Sequence, residues 1–351
     1  MDPTFDECVV KIEQAKLPED LFGDCDLNEM KTTYTYLMKV VHPDRHFGAD
    51  RATHAAARLT QLYLSAQDRM RRGIYGSRPV LMQFKTRRHN YIIHERTGIM
   101  GIADIFTGMM DDTEPVIFHV ASQPTETIGS LIKHEAKALI KLHEPKDDGA
   151  VSWQSMLPKL IECIDIPVNG KPHKCNVYKD TLQGFVSLAE VERKFGSAGI
   201  DGKDVAWMLR RALDVLGYAH SIGVIHGGLN PTNIFVGPGD IHQVVIANWQ
   251  NAILDPDDRV RSVEKDYRFC VAPEILKKQP ASPASDLFSL GQSFLRVCGS
   301  NTSKRVSLFL QSFILASPVQ RPQNAFEIRK EFTRMIRELW GEAKYHPFIF
   351  N

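Results

Sequence analysis

Residues 226–234 read HGGLNPTNI, a run in which two glycines, a proline and two asparagines follow one histidine. An amphipathic segment from Asp201 to Ser221 precedes it, and the short apolar segment IFVG overlaps its end, so the run lies in a predicted loop between a helix and a strand. Four further motifs follow in order: ANWQ (247–250), VAPE (271–274), SDLFSLG (285–291) and VQRP (319–322). The ordered spacing of the set, rather than any single motif, indicates the fold.

Residues 90–180 show a different pattern of apolar and polar residues. Strand-like runs occur at 91–98, 102–110 and 115–121, and a helical pattern of apolar residues follows from Ile128 to Leu142. WQSMLPKLIECIDI (153–166) and HKCNVYKD (173–180) are two more strand candidates, and QVVIA (243–247) is a short one in the later half. A strand-rich half is therefore predicted to precede a helix-rich half.

This order of features resembles the eukaryotic-type protein-kinase fold, including kinase-like proteins of bacteria and phages, over residues 90–337. HGGLNPTNI aligns with the family's HRDLKPxN, ANWQ with the segment bearing DFG, VAPE with APE, and SDLFSLG with helix F. Upstream, Glu135 matches the glutamate of helix C, and His119 ends VIFH where the family reads VAIK. The resemblance implies candidate nucleotide-binding positions at Gly98, Gly101, His119, Asn233 and Asn248.

By the same resemblance, the positions of the charged catalytic groups are neutral here. Gly228 stands where an aspartate orients the acceptor hydroxyl, Asn230 where a lysine follows, and Asn248 where the DFG aspartate holds magnesium. Phosphoryl transfer relies on a few charged groups and their metal ions, and an amide is a poor ligand for a hard cation. His119 replaces the phosphate-binding lysine and is expected to be mostly neutral unless Glu135 raises its pKa.

Residues with structural roles in that family are intact, namely Glu274, Asp286 and Arg321, and Arg321 is expected to pair with Glu274. We therefore predict a pseudokinase: not an enzyme, without catalytic residues, cofactor or metal, and serving as an interaction scaffold. Asn233 could still coordinate one metal ion, but loop hydrogen bonding is the favoured interpretation.

Two alternatives stay open at this point. An atypical nucleotide-dependent transferase would use ATP and magnesium in a different orientation, with Asp104, Asp255 or Asp257 as metal ligands. A pure interaction module would bind no nucleotide. Glycines such as Gly98 and Gly101 can either bind phosphates through the backbone or form a tight turn. The tight turn is the more common role.

A second motif, His42-Pro43-Asp44, lies between two predicted helices. Apolar residues recur at helical spacing on both sides of it: Leu27, Met30, Tyr34, Leu37 and Val41, then Leu59, Leu62, Tyr63, Ala66 and Met70. Asp26 is a candidate N-cap for the first helix, and Pro43 is expected to end it. The histidine and the aspartate offer a donor and an anionic acceptor on a loop that proline stiffens.

Residues 1–76 resemble the J-domain of DnaJ-type co-chaperones through this motif and its two flanking helices. The resemblance implies that His42, Pro43 and Asp44 contact a DnaK-type chaperone and stimulate its ATP hydrolysis for a bound client protein. The basic residues expected to assist are Lys31, Lys39 and Arg45. Thr35 stands where family members often carry another basic residue, which weakens the electrostatic part of docking.

Composition is consistent with this organisation. Apolar residues make up 43% and charged residues 24%, as in ordinary globular proteins, and 43 basic against 42 acidic residues leave no field that would attract nucleic acid or an acidic membrane. The six cysteines form no CxxC pair, and MDPTFDEC does not read as a signal peptide, so we expect a cytoplasmic protein.

The expected fold class is α+β. The expected parts are an all-α J-domain (1–76), a linker (77–88), a strand-rich kinase-like N-lobe (89–180) and a helical C-lobe (181–351).

Overall fold

The computed structural model divides the chain into two compact units, Met1–Pro79 and Val80–Phe350. The residues that the structure describes are 3–15, 17–46, 50–71, 75–76, 80–144, 151–239, 241–256, 258–342 and 345–350. The described part of the first unit is helical, whereas the second unit combines sheet and helices.

The first unit contains α1 (Phe5–Gln14), α2 (Pro18–Phe22), α3 (Leu27–Val41), a 3-10 turn (Pro43–His46) and α4 (Asp50–Arg71). Helix α3 begins after Asp26, whose carboxylate accepts hydrogen bonds from the backbone N–H groups of Asn28 (2.8 Å) and Glu29 (2.9 Å). It ends before Pro43, because proline disfavours helical backbone at the preceding residue, and His42 is extended. The prediction for both helix ends is confirmed.

Helices α3 and α4 bury their predicted apolar faces against each other. Met30, Leu37, Leu59 and Leu62 are buried in one cluster, and the rings of Tyr34 and Tyr63 stack with centroids 4.2 Å apart. Leu27, the first residue of α3, departs from the prediction because it is 52% exposed.

The second unit begins with a six-stranded antiparallel sheet. Its strands are β1 (Met82–Lys85), β2 (Asn90–Met100), β3 (Ala103–Met110), β4 (Glu114–Ala121), β5 (Leu160–Val168) and β6 (Lys171–Lys179), in the order β1-β2-β3-β4-β6-β5. Helix α5 (Glu126–Leu142) connects β4 to the β5–β6 hairpin, and its buried face carries Leu131, Leu139 and Leu142.

Two segments differ from the prediction. Residues 153–166 do not form one strand: a short helix, α6 (Val151–Gln154), comes first, and β5 begins only at Leu160. Met156 and Leu157 are buried in the helical core, and Pro158 has no N–H with which to extend a ladder. Strand β1 lies inside 77–88, where a linker is expected; four alternating residues are too short a pattern to indicate a strand.

The helical part contains a small sheet, β7 (Val186–Ser187), β8 (Ile234–Val236) and β9 (Val244–Ile246), and the helices α7 (Leu188–Phe195), α8 (Gly202–Ser221), α9 (Pro273–Leu276), α10 (Pro283–Leu295), α11 (Lys304–Gln311) and α12 (Ala325–Trp340). Its core is built around α8 and fully buried aromatic side chains, including Trp249, Phe294 and Phe332. This mixed architecture is consistent with a kinase-like fold.

Among the described residues, no helix is both long and apolar enough to cross a membrane.

Candidate active site

The turn between β2 and β3 forms one wall of the candidate site. Gly101 adopts a positive φ of 57°, and a Cβ atom there would lie 2.6 Å from Gln250 Nε2, 3.1 Å from Asn248 Nδ2 and 3.2 Å from Glu264 Oε1. Glycine is required because both the backbone angle and this close approach exclude a side chain. Gly98 on β2 has open space around it, so no such contact constrains it.

His119 on β4 and Glu135 on α5 meet beneath the sheet. The distance between His119 Nδ1 and Glu135 Oε2 is 3.9 Å, and both side chains are buried. Burial lowers the pKa of His119 to about 3 and raises the pKa of Glu135, so the histidine is neutral and the contact is not a strong ion pair. Glu135 instead accepts hydrogen bonds from the backbone N–H of Trp249 (3.1 Å) and from Asn176 (3.3 Å).

The 226–234 run forms a loop that its own asparagines hold together. Asn233 Oδ1 accepts from the backbone N–H of Asn230 at 2.9 Å, and Asn233 Nδ2 donates to the carbonyl of Gly228 at 3.0 Å. Asn230 Oδ1 accepts from both the N–H and the hydroxyl of Thr232. The amide of Asn233 is therefore engaged in the loop hydrogen bonds that the sequence favours.

Asp286 on α10 anchors the start of the same loop. Its carboxylate accepts from the backbone N–H groups of His226 (2.7 Å) and Gly227 (2.9 Å), and it pairs with His220 at 2.9 Å. Burial works to raise the pKa of Asp286, but the hydrogen bond and charge of His220 outweigh it and hold the pKa below its usual range. This buried carboxylate fixes the loop position relative to the helices.

Asn251 occupies the space beside the two glycines of the loop. Gly227 has a φ of 73°, and a Cβ there would lie 2.5 Å from the Asn251 carbonyl. A Cβ on Gly228 would lie 3.0 Å from Asn251 Nδ2, while Asn251 Oδ1 is held by the N–H and hydroxyl of Ser262. Gly228 stands where the kinase resemblance places an aspartate. Asn251, held by Ser262, lies close beside it.

The cleft nevertheless contains a carboxylate. Asn248, in left-handed backbone conformation, donates from Nδ2 to Glu264 Oε1 at 3.3 Å, and Asn230 Nδ2 donates to Glu264 Oε2 at 3.3 Å. Burial raises the pKa of Glu264 despite these two hydrogen bonds. Sequence reasoning missed this residue, because it belongs to no motif and is 34 residues away from Asn230.

An unpartnered donor lies next to this carboxylate. Gln250 is 2% exposed, and its Nε2 atom has no hydrogen-bond partner among the described residues. Buried amides are normally hydrogen-bonded, so this unpaired donor is an exception within the site. The Gly101 turn lies directly against Gln250 and Asn248, and Asn248 holds the Glu264 carboxylate on the same side.

The structure brings Glu274 and Arg321 together. The guanidinium donates to both carboxylate oxygens at 2.7 and 2.8 Å, and both residues are buried. Ser285 adds a hydrogen bond to Glu274 at 2.7 Å. Burial works to raise the pKa of Glu274, but these hydrogen bonds lower it overall.

Of the carboxylates considered as alternative metal ligands, the two that the structure describes do not form a metal site. Asp104 is paired with Arg96 on the neighbouring strand, Asp255 is exposed, and Asp257 lies outside the described residues. Across the part of the chain that the structure describes, no group of three or more His, Cys, Asp or Glu side chains is arranged to hold a metal ion.

In the first unit, His42, Asp44 and Arg45 are exposed at the end of α3 and in the following turn. The His42 ring accepts a hydrogen bond from the backbone N–H of Asp44 at 3.2 Å. Pro43 is half-buried, and Lys31 and Lys39 are exposed on α3.

Comparison with known proteins supports a protein-kinase-like domain. Over 177 residues the chain is 29% identical to the serine/threonine-protein kinase PDK1 of Cryptococcus neoformans var. grubii, covering 46% of this chain and 14% of that protein. It is 28% identical over 154 residues to the serine/threonine-protein kinase TIO of Arabidopsis thaliana, covering 41% and 11%. It is 27% identical over 163 residues to a calcium/calmodulin-dependent protein kinase type 1 of Macrobrachium nipponense, covering 42% and 46%.

These matches span less than half of each relative's length, and no protein-family model matches the chain. They are curated serine/threonine kinases, and they contradict the prediction that the chain is not an enzyme. That prediction compared residues position by position and therefore overlooked the carboxylate of Glu264, which reaches the cleft from a different segment.

Proposed function

We propose that the second unit is a nucleotide-dependent transferase of kinase-like fold with a non-standard active site. The observation that carries the proposal is the position of Glu264, whose carboxylate is held by Asn230 and Asn248 beneath the Gly101 turn. These asparagines stand where the kinase resemblance places a lysine and a metal-binding aspartate. The similarity to serine/threonine kinases supports the same class of reaction.

Glu264 is suited to accept a proton. Its pKa is raised by burial, and a base whose pKa lies nearer to the working pH is a more effective proton acceptor in catalysis. In the proposed step, an acceptor hydroxyl transfers its proton to Glu264 while its oxygen forms a bond to phosphorus of a nucleoside triphosphate. The phosphorus–oxygen bond to the leaving phosphate group breaks, and that group departs with the bonding electrons.

The phosphates would be bound by the side-chain amides of Gln250 and Asn248. The nucleotide supplies the group to be transferred. Because Glu264 is assigned to proton transfer, a magnesium ion would be held chiefly by the phosphates themselves, as is common where proteins supply few ligands. His119 is neutral and adds no positive charge near the phosphates. The amide groups of Gln250 and Asn248 would therefore bind the phosphates in place of the lysine that the kinase resemblance expects.

Substrate binding requires local movement. The cavity bounded by Gly228, Asn230, Asn251 and Glu264 has a volume of about 20 Å³, which is room for about one water molecule. The Gly101 turn lies against Gln250 and Asn248. Either this turn or the segment bearing Glu264 has to shift before phosphates can enter.

Label transfer from ATP tests the proposal. We expect the full chain to transfer label from either the γ or the α position of ATP to protein, and Glu264→Gln to lower the rate by about 100-fold, the usual contribution of a general base. Glu331→Gln, which removes an exposed carboxylate on α12 that does not act on the pKa of Glu264, is the matched control and should retain activity. Absence of transfer from both positions by folded wild-type protein would overturn the proposal.

For the first unit, we infer a second function, that of a J-domain acting on a DnaK-type chaperone. The specific observation in favour is the exposure of His42 and Asp44 at the junction between α3 and the following turn, beside exposed Lys39 and Arg45. A rigid polar loop of this kind presents hydrogen-bonding groups to a partner. The two functions together would direct a transferase to chaperone-bound clients.

Chaperone ATPase measurements test this function. The full chain should stimulate ATP hydrolysis by a DnaK-type chaperone, and His42→Gln should abolish stimulation without changing the melting temperature. His54→Gln is the control, because His54 is an equally exposed histidine on α4, away from the motif. Equal stimulation by wild type and His42→Gln would contradict the assignment.

A further inference from the structure

A second cavity lies between the first half of α8, the turn that joins β8 and β9, and the end of α12. Its volume is about 460 Å³, within the range of small-molecule sites. Side chains that line it are Lys203, Trp207, Arg210, His242, Trp340 and Tyr345. None of these residues belongs to the candidate active site.

Two residues that line this cavity each have a buried polar atom without a partner. Arg210 Nε and His242 Nδ1 make no hydrogen bond to any described residue. Buried polar groups are normally hydrogen-bonded, so both exceptions call for an explanation. These two atoms are themselves closed to solvent, so a ligand in the cavity would reach Arg210 through the rest of its guanidinium group.

The charge around Arg210 is unbalanced. Arg210 lies near Arg211, Arg329 and Arg337, and the carboxylate that acts on its pKa is Asp214. Asp214 Oδ1 pairs with Arg329 at 2.5 Å, and Asp214 Oδ2 has no partner among the described residues. Burial and these neighbouring cations lower the pKa of Arg210. At the rim, Glu342 is paired with Arg337 at 3.6 Å. An anion is the ligand that would offset this excess of positive charge.

The remaining wall is aromatic. The rings of Trp207 and His242 stack with centroids 4.0 Å apart, and the His242 and Tyr345 rings are 5.2 Å apart. Trp207 Nε1 donates to Asp204 Oδ1 at 3.2 Å, so its polar group is satisfied within the protein. His242 has a φ of 43°, a strained conformation for a residue other than glycine, and it places the imidazole on the indole.

We propose that this cavity binds a small planar aromatic anion, with the ring system against the aromatic wall and the negative group at Arg210. The combination of one unpartnered guanidinium atom, uncompensated positive charge and stacked rings matches aromatic carboxylates, sulfonates or phosphates of one or two rings. A neutral ring compound would leave Arg210 unpaired and would bind more weakly.

Calorimetric titration of the full chain with 2-naphthoate and with the uncharged 2-naphthamide tests the site. We expect 2-naphthoate to bind at least tenfold more tightly than the amide. Arg210→Gln should lower the affinity for 2-naphthoate about tenfold and leave that for 2-naphthamide unchanged. Arg334→Gln is the matched control, since Arg334 on α12 is exposed, does not line the cavity and is not one of the cations that act on Arg210.

His242→Asn provides a second variant, because asparagine tolerates positive φ but has no ring to stack. It should weaken both compounds, with the fold verified by an unchanged melting temperature. Equal affinity for acid and amide, no binding of either at millimolar concentration, or equal losses in the Arg210 and Arg334 variants would each overturn the proposal.

Discussion

At the residue scale, burial decides the charge of the groups in the cleft. His119 stands where the kinase resemblance expects a lysine, and desolvation lowers its pKa to about 3, so it is neutral at any physiological pH. Glu135 and Glu264 are shifted in the opposite direction, because burial disfavours the carboxylate form. Folding therefore removes the charge of His119 and makes the two carboxyl groups harder to ionise than they are in water.

The neutral state of His119 predicts a pH dependence of stability. Between pH 6.5 and about 3 the unfolded chain binds a proton at His119 that the folded chain does not bind, so the free energy of unfolding falls as the pH is lowered through this window. From pH 6.5 to 5, wild type should lose about 1.5 kcal/mol more than His119→Gln. Urea unfolding at both pH values measures the difference, and identical losses would show that His119 is not buried as a neutral ring.

At the element scale, a single guanidinium connects the ends of several helices. Arg321 binds Glu274 on α9, the carbonyl of Ala284 on α10 at 3.1 Å, and the carbonyls of Leu315 and Ala316. Leu315 and Ala316 lie in the segment between α11 and α12, outside the α-helices. The ion pair fixes the relative positions of α9 and α10.

Removing this guanidinium should be costly. Arg321→Ala leaves Glu274 as an unpaired buried carboxylate, and we expect a loss of about 3 to 5 kcal/mol in the free energy of unfolding. Arg305→Ala is the control, because Arg305 forms a half-exposed pair with Glu338 and such pairs contribute about 1 kcal/mol or less. Denaturant titration of both variants gives the comparison; similar losses would contradict the buried role of Arg321.

For the molecule as a whole, the order of helices and strands could be predicted from local patterns of apolar and polar residues. The alternation of the strands before Ala121 and the helical spacing within α5 and α8 are properties of neighbouring residues, and the structure contains those elements. The segment at 153–166 was the exception, because the burial of Met156 and Leu157 in the helical core overrides their strand-like pattern. The domain bounds 1–76, 77–88, 89–180 and 181–351 stay predictions, as do the roles of the individual site residues.

Local sequence specifies the kinase-like order of motifs, the helix that ends just before the His42-Pro43-Asp44 motif, and the neutral residues at positions 228, 230 and 248. These are features of composition and short-range spacing, which the chain carries before it folds. The entry of Glu264 into the cleft, and a buried Arg210 Nε without a partner among the described residues, depend instead on tertiary packing. Those properties arise from contacts between segments far apart in the chain, and burial, which sets their charge and hydrogen bonding, exists only once the segments have packed.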